Sequence, residues 1–470
     1  MSRTPIIDML KKIAESANLR FCMPGHKGKP AFFGSDINKF DITELTGTDN
    51  LYNPDGVIAE SECNYADFIG AKDSFFLVNG SSCGVHAAVL SVLNPGDEVI
   101  AARDFHLSAA HAFALSGVVP HFIYSGIDKE GMFNIITPSR ARQAVKQYPR
   151  SKAVYLTYPD YWGRCAELSE ICRIAHNAGM KVICDAAHAA AFDYSKMLPE
   201  SPADAGCDIW TVSPHKTLPA MNQCAVLCTG LKSGIESTLV QSRLNLIQTT
   251  SPSYILLASI DYALSYMREY GEAKLNEAIE KVIYIKNKIE KLGGYRCLPY
   301  YPGNHTEFDA LKLSIDVSNR GISGFFAAEQ LEKSGIFIEA ADTKRILLIC
   351  TVADDKSDFD MLYTALKHMT AQNDDKTADL KISAEQVDKI FNASLETGIR
   401  EAVFAPRETV STHRAEGRIS AVCAGAYPPG VPVLLPGQII SRQTLDYLKM
   451  LSEAGYSLFG LGKSIETVKL

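Results

Sequence analysis

Short apolar segments alternate with amphipathic helical segments between about residues 60 and 230, and this alternation constrains the fold more than any other feature. One helical segment, 166–176, ends at Asn177-Ala178-Gly179 just before the next apolar run. Alternation of this kind predicts an α/β fold in which a mostly parallel sheet is covered by helices on both faces. The predicted strands are 75–78, 98–101, 121–124, 153–157, 181–184 and a β-prone run that begins at Asp208.

The remainder of the chain is predicted to form two smaller units. A helical stretch from about Ile255 to Leu292 has the spacing of a connector between domains. Apolar strands such as 310–315 and 345–350 then indicate a smaller α+β domain, and the polar segment Thr370–Lys376 is the best linker candidate. The predicted division is an N-terminal arm with its leading segment (1–60), a large domain (61–262), a smaller α+β domain (263–370) and a C-terminal domain (377–470).

Composition excludes several classes of function. The 470 residues are 46% hydrophobic and 21% charged, which is ordinary for a globular protein. A net charge of −7 argues against nucleic-acid binding, and a small cationic substrate would not be repelled. No apolar stretch reaches the roughly 18 residues of a membrane span, and the N-terminus lacks a signal-peptide pattern. The 12 cysteines show no paired metal-ligand spacing, so we expect a cytoplasmic protein without a metal site.

Two predicted strands are followed by ionisable side chains that could take part in binding or catalysis. The strand 181–184 is followed by Asp185, and the run from Asp208 leads through a polar turn to Lys216. Because carboxyl ends of parallel strands line the ligand crevice of an open sheet, the acid and the amine are expected to meet there. Such a pair is what pyridoxal phosphate requires of a protein. Singly, each has an ordinary alternative, a solvated lysine or a turn aspartate.

A glycine- and serine-rich turn after the strand 75–78 suggests a phosphate site. The segment Asn79-Gly80-Ser81-Ser82-Cys83-Gly84 leads into a predicted helix over 85–93, which Asn94-Pro95-Gly96 terminates. Free N–H groups at a helix start, with two hydroxyls beside them, bind anions. The alternative is ordinary capping of the helix by Ser81 or Ser82.

Motifs spread over nearly the whole chain resemble those of a known family. The motifs are Pro24-Gly25-His26-Lys27-Gly28, Asp41-Ile42-Thr43-Glu44-Leu45, Leu51-Tyr52-Asn53-Pro54-Asp55-Gly56-Val57-Ile58, Asn79-Gly80-Ser81-Ser82, Ser213-Pro214-His215-Lys216-Thr217-Leu218-Pro219-Ala220, Gln248-Thr249-Thr250-Ser251-Pro252-Ser253-Tyr254, Gly417-Arg418-Ile419-Ser420 and Tyr427-Pro428-Pro429-Gly430-Val431-Pro432. In these motifs the sequence resembles the bacterial ornithine/lysine/arginine decarboxylases, which use pyridoxal phosphate and have the aspartate-aminotransferase fold (fold type I).

The resemblance implies a fold and an activity. The fold would be that of the pyridoxal-phosphate-dependent transferases, with a mostly parallel seven-stranded sheet, a smaller α+β domain and a small C-terminal domain. The activity would be decarboxylation of arginine, lysine or ornithine to the amine and CO₂, in polyamine-type metabolism. The resemblance also implies a homodimer with its active sites at the subunit interface.

The resemblance assigns roles around the cofactor ring. Lys216 would form the Schiff base, and Asp185 would keep the pyridinium nitrogen protonated. His106 matches the histidine that stacks on the ring, although a histidine without a ligand is the simpler interpretation from the sequence alone. Ala187 and His188 match positions beside the other face of the ring and its phenolic edge.

The cofactor phosphate has its own set of matched residues. Ser81 and Ser82 would hold it at a helix N-terminus, with help from Ser213 and His215. Thr250 is expected to reach the phosphate bound by the neighbouring subunit.

The substrate end is less well determined. Glu339 follows an apolar run and matches a family position for the distal cation, but a solvated turn carboxylate is an equal alternative. The sequence departs from the family at Leu107, where lysine is frequent, and at Ala186, where an acid is frequent. Trp162 and Arg164 add bulk and charge to a loop expected at the rim of the site, which puts substrate identity in doubt.

Two other functions remain open at this stage. The first is another carbanion reaction on the same scaffold, such as transamination or side-chain cleavage. The second is a catalytically silent regulatory homologue, because a fold does not determine a function. Arginine, lysine and ornithine also remain undecided, since a methylene group changes binding by only about 1–3 kcal/mol.

Overall fold

The structure is a computed structural model that describes residues 19–21, 49–128, 131–298, 308–370 and 382–469. The motifs at 24–28 and 41–45, and nearly all of the predicted linker 370–376, lie outside the described residues. The N-terminal arm predicted over 1–60 is described only from 19 to 21 and from 49 onward.

The described strands and helices follow one another along the chain. The strands are β1 (Leu19–Phe21), β2 (Ala71–Leu77), β3 (Glu98–Ala102), β4 (Val119–Ile123), β5 (Ala153–Thr157), β6 (Lys181–Asp185), β7 (Ile209–Val212), β8 (Ala225–Gly230), β9 (Arg296–Cys297), β10 (Lys312–Asp316), β11 (Ile336–Ile338), β12 (Ala340–Ala341), β13 (Arg345–Ile349), β14 (Arg407–Ser411), β15 (Ala424–Tyr427), β16 (Pro432–Leu434), β17 (Ser457–Phe459) and β18 (Ser464–Val468). The helices are α1 (Val57–Ile69), α2 (Gly80–Val92), α3 (Leu107–Ser116), α4 (Pro138–Gln147), α5 (Leu168–Asn177), α6 (Pro214–Thr217), α7 (Ser237–Asn245), α8 (Tyr254–Glu290), α9 (Gly324–Lys333), α10 (Lys356–His368), α11 (Ala384–Phe391), α12 (Ile399–Phe404) and α13 (Arg442–Glu453). Across these described segments, no helix has both the length and the apolar character needed to cross a bilayer.

The large domain is built on a seven-stranded sheet with the order β2-β8-β7-β6-β5-β3-β4. Strands β3 to β7 pair in parallel, and β8 runs antiparallel to both of its neighbours. The predicted mostly parallel seven-stranded sheet is therefore confirmed. Almost every residue of β5, β6 and β7 is buried, as expected for strands covered on both faces.

Helices cover both faces of this sheet. Successive side chains of β5 point to opposite faces, so Val154 packs in one core with α5 and α8, while Tyr155 packs in the other with α2 and α3. Helix α2 begins at Gly80, earlier than the helix predicted over 85–93, so the serines of the predicted turn lie in its first turn. The polar residues at 79–82 concealed this start, because they also suit a loop.

The smaller domain consists of the antiparallel sheet β12-β13-β10-β9 and helices α9 and α10. Strand β1 pairs in parallel with β11 of this domain, and Phe21 is completely buried in its core. The 37-residue helix α8 connects the domains, as its charge pattern predicted. Its fully buried apolar residues up to Ile279 pack in the large domain, and those from Val282 onward pack in the smaller one, while the half-buried Ile283 still contacts the core of the large domain. Helix α8 therefore passes from the core of the large domain to the core of the smaller domain without a break.

The C-terminal unit contains the sheets β16-β15-β17 and β14-β18 and helices α11 and α13, while α12 packs through Ile399 in a core of the large domain. A buried cation, Arg103, attaches it to the end of β3. The Arg103 guanidinium donates to the carbonyl oxygens of Pro432 at 2.6 Å and Val433 at 3.2 Å, and it lies 5.0 Å from the ring centre of Phe391. This contact holds the start of β16 against the carboxyl edge of the large sheet.

We predict that Arg103→Met lowers the free energy of unfolding by about 3 kcal/mol, because two buried carbonyl groups lose their donors. Urea unfolding followed by circular dichroism measures the change. Arg150→Met is the matched control, since Arg150 pairs with Glu98 but is 84% exposed, and its effect should stay within about 0.5 kcal/mol. Equal stability of both variants would show that Arg103 does not fasten the C-terminal unit.

Candidate active site

The carboxyl ends of β3, β5, β6 and β7 surround a cavity of about 270 Å³, the position where open α/β sheets bind ligands. Most of the predicted site residues line it. They are Ser81, Ser82, His106, Asp185, Ala187, His188, His215, Lys216 and Glu339. Two others, Ser213 and Thr250, are not part of the lining.

Lys216 lies in the short helix α6 that follows β7. Its Nζ is 3.2 Å from His188 Nε2. Burial lowers the pKa of Lys216, and the negative charges of Asp185 and Glu339 partly oppose this effect. The environment therefore favours a neutral amine, the form in which a lysine is nucleophilic.

Asp185 is the last residue of β6, and His106 ends the segment that follows β3. Asp185 is buried and accepts a hydrogen bond from the N–H of Ala187 at 3.2 Å. His106 is the N-cap of α3, where its Nδ1 accepts the N–H of Ser108 at 3.2 Å. Burial lowers the pKa of His106, although Asp185 raises it. A neutral imidazole and a carboxylate thus face the same cavity.

The first turn of α2 has the features of an anion site. Its N-cap, Asn79, makes no side-chain cap bond in the described structure, and neither Ser81 nor Ser82 is the N-cap. Capping by these serines, the alternative left open by the sequence, is therefore not what this helix uses. Gly80 has a φ of +72° and no atom within 4 Å of the place where a Cβ would lie, so the helix start is open to the cavity.

Residues near Lys216 could complete this anion site. The Ser213 hydroxyl is fully buried and has no hydrogen-bond partner among the described residues. His215 Nδ1 is 2.7 Å from the carbonyl oxygen of Cys224, and burial lowers the pKa of His215 to about 4. A bound dianion would favour the protonated imidazole. An uncapped helix start, a buried hydroxyl without a partner, an amine and a carboxylate fit the phosphate, aldehyde and ring nitrogen of pyridoxal phosphate.

Thr250 is exposed and lies away from the cavity of its own chain. Its predicted contact with a neighbouring subunit stays a prediction. The roles assigned to Ala187 and His188 beside the ring also stay predictions, although both side chains are buried at the cavity wall.

Glu339 follows β11 directly and lines the cavity. The Glu339 N–H donates to Leu347 at 3.0 Å, and its Oε1 accepts the hydroxyl of Tyr161 at 2.9 Å. Burial, together with the charge of Glu339, raises the pKa of Tyr161 well above its usual range. Glu339 is therefore held in place at the cavity wall, which distinguishes it from a solvated turn carboxylate.

The loop with Trp162 and Arg164 does line the cavity. Arg164 Nε donates to Asp160 at 2.7 Å, and its Nη1 donates to Asp128 at 3.0 Å. The guanidinium of Arg345 lies 5.1 Å from the ring centre of Trp162. The charge of Arg164 is thus balanced within the protein, and this loop is a fixed wall of the site.

Several residues of the site were missed by the sequence analysis. Tyr161 belongs to the loop in which the sequence analysis singled out only Trp162 and Arg164. Tyr427 lines the cavity from the C-terminal unit, within a motif that had been given no role. Lys312 is completely buried, with its Nζ 2.8 Å from His188 Nδ1. Lys312 is the third residue of the predicted strand 310–315, where a lysine is expected on an exposed face, so no sequence signal separated Lys312 from ordinary lysines.

Comparisons with known proteins agree with this arrangement. The family described as Orn/Lys/Arg decarboxylase, major domain, matches residues 4–298, and its C-terminal domain matches residues 384–470. Arginine decarboxylase of Bacillus subtilis is 31% identical, over 97% of this chain and 95% of the relative. Constitutive lysine decarboxylase of Escherichia coli is 23% identical, over 99% of this chain and 80% of the relative. The solved structure of the latter aligns with a TM-score of 0.78 at 19% identity, over 99% of this chain and 82% of that one.

The first family match alone spans more than half of the sequence. The solved structure shows that the fold is shared, including the seven-stranded sheet and the C-terminal unit. The chain therefore belongs to the Orn/Lys/Arg decarboxylase family.

Proposed function

We propose that this protein decarboxylates a basic amino acid with the help of pyridoxal 5′-phosphate, and that arginine is the preferred substrate. The observation that carries the proposal is the meeting of Lys216 and Asp185 in one cavity that Glu339 also lines. Family membership supports the reaction. The relative named arginine decarboxylase is more similar to this chain than the one named lysine decarboxylase, which supports arginine.

Pyridoxal phosphate, when bound, supplies an electron sink for the electron pair that a departing carboxylate leaves behind. Asp185 would hold a proton at the ring nitrogen, and its burial would strengthen that charge interaction. The N–H groups at the start of α2, together with Ser81, Ser82, Ser213 and His215, would hold the phosphate. His106 would stack on the ring.

In this proposal, Lys216 transfers a proton to the substrate. Lys216 would hold the cofactor through its Nζ, and, when freed with the proton that the substrate amine gives up, it would be an ammonium group that can supply that proton to Cα. Burial lowers the pKa of Lys216, which favours both the nucleophilic amine and the release of a proton from the charged form. Trp162 and Tyr427 line the same cavity.

Glu339 orients the substrate by binding its distal cation. Tyr161 fixes one carboxylate oxygen of Glu339 at 2.9 Å, so the charge is presented from a defined position. A guanidinium group can bind a carboxylate through two parallel hydrogen bonds, which favours arginine over shorter amines.

The cellular setting is part of the same proposal. We infer a cytoplasmic homodimer in which Thr250 reaches the phosphate held by the neighbouring subunit, and in which the product amine enters polyamine-type metabolism. The exposed position of Thr250 supports the first inference. The cysteines of the described segments are all free thiols, which supports a reducing compartment.

A substrate panel tests the reaction. With arginine, lysine and ornithine, we expect equimolar CO₂ and amine and a kcat/KM at least about tenfold higher for arginine. Accumulation of a keto acid would identify an aminotransferase instead. Absence of CO₂ from all three substrates would indicate a silent homologue.

Lys216→Ala should abolish covalent attachment of the cofactor and lower kcat/KM by at least about 10³-fold, because nucleophile and proton donor are both lost. Borohydride reduction followed by peptide mass spectrometry locates the attached pyridoxyl group. Lys232→Ala, at an exposed lysine of the same domain, is the control and should behave like the wild type. Attachment at a residue other than 216 would refute the assignment.

Glu339→Gln should lower kcat/KM for arginine by about 10- to 100-fold, since a charge-assisted hydrogen bond contributes about 1.5–3 kcal/mol. The cofactor absorbance should not change. Norleucine, which lacks a distal cation, separates this role from general damage, because its low turnover should not fall further. Glu332→Gln, on the exposed face of α9, is the matched control, and a similar loss in both variants would contradict the role.

A further inference from the structure

His188 connects two buried lysines. Its Nε2 lies 3.2 Å from Lys216 Nζ, and its Nδ1 lies 2.8 Å from Lys312 Nζ. The three side chains come from three places: the loop after β6, helix α6 and the first residue of β10 in the smaller domain. Lys216 lines the cavity, whereas Lys312 does not. Lys312 therefore touches the site through His188.

Lys312 is held in place by the loop 158–164. A Cβ on Gly163 would lie 2.7 Å from Lys312 Cγ, and the φ of Gly163 is +97°, so only glycine suits this close approach. The N–H of Asp309 donates to the carbonyl oxygen of Gly163 at 2.7 Å. Lys312 is completely buried beneath these contacts. Its position is thus built by the junction of the two domains.

The hydrogen bonds that a neutral imidazole can make limit the roles of the two lysines beside His188. Such a ring has one donor and one acceptor nitrogen. Burial holds the pKa of His188 well below its usual range, and the neighbouring Lys216 and Lys312 lower it further. A neutral His188 must therefore accept from one lysine and donate to the other.

The surroundings of Lys312 identify it as the donor. Its Nζ donates to the carbonyl oxygen of Tyr161 at 3.4 Å and lies 5.5 Å from the ring centre of Tyr161. A carbonyl oxygen and an aromatic ring both stabilise an ammonium group. His188 Nε2–H then points at Lys216, which accepts with the lone pair of a neutral amine.

We propose that Lys312 is a positioning residue for Lys216: it carries the positive charge, donates to His188 Nδ1, and so directs Nε2–H toward an uncharged Lys216 nitrogen. The arrangement is a reversible proton store. One proton moves from Lys312 to Nδ1 while another moves from Nε2 to Lys216, and the reverse shift restores the first state, so protons and charge balance. This proposal rests on the proposed function, in which Lys216 is the reactive amine.

Other charges also face this set of nitrogens. Asp185, Glu339 and His106 surround Lys216. Burial and a charge on Lys216 lower the pKa of Lys312 to about 8, whereas Asp309, Glu339 and Asp160 raise it. Lys312 is therefore protonated at neutral pH, and its replacement by an uncharged residue removes a cation from the unit. The pKa of Lys216 is then expected to rise.

The test is the pH dependence of acetylation of Lys216 by acetic anhydride, in the full chain freed of cofactor, with mass spectrometry of the labelled peptide. In Lys312→Met, the midpoint should move upward by about one pH unit, so that labelling below the midpoint slows about tenfold. Lys286→Met is the matched control, because Lys286 is also a buried lysine of the smaller domain but bonds to Leu298. It should leave the midpoint in place.

A double-variant comparison separates action through His188 from a simple electrostatic field. In a His188→Phe background, adding Lys312→Met should move the midpoint by less than about 0.3 unit. The proposal is overturned if Lys312→Met leaves the midpoint unchanged, or if it causes the same shift with and without His188. Lys312→Gln provides a second uncharged variant should the methionine form fail to fold. Because no cofactor or substrate is present, a negative result here leaves the decarboxylation assay as an independent test.

Discussion

The desolvation of Lys216 is the constraint on which the candidate site depends. A buried amine is costly in its charged form, so burial lowers the pKa of Lys216 and favours the neutral, nucleophilic form of its nitrogen. The sheet creates this environment, because the carboxyl ends of its parallel strands are enclosed by loops from every side. The same enclosure brings Asp185 and Glu339 close enough to oppose the shift. The reactivity of Lys216 is thus a balance between burial and two carboxylates.

Three separately packed units have to meet for that enclosure to exist. Arg103 fastens the C-terminal unit to the end of β3, which places Tyr427 on the cavity wall. Gly163 packs closely against the side-chain carbons of Lys312, and this contact joins the smaller domain to the large one. Each junction places a buried cation against backbone carbonyl groups or an aromatic ring. Such contacts are specific in geometry, because a shift of either unit would leave a charge without its partners.

Sequence patterns predicted the parts of this protein that depend on local periodicity. The sheet, the connecting helix α8, and the meeting of Asp185 with Lys216 all follow from apolar strands that end in polar groups. Contacts across the domain junctions could not be predicted in this way. In the sequence, Lys312 cannot be distinguished from a surface lysine. Only the folded structure packs β10 against the loop of Gly163 and shows that Lys312 contacts His188.

The distribution of charge in the cavity bears on the class of substrate. Asp160 and Asp128 are paired with Arg164, and Asp104, whose pKa burial raises to about 6, lies beside them. Asp185 is directed to the ring nitrogen in the proposed function, which leaves the carboxylate of Glu339 to face the incoming molecule. Glu339 already accepts the hydroxyl of Tyr161, and the distal cation of a basic amino acid would add a charge-assisted hydrogen bond to this carboxylate. A neutral amino acid of equal length could not make that bond, so under the proposed function the cavity would select substrates by charge as well as by chain length.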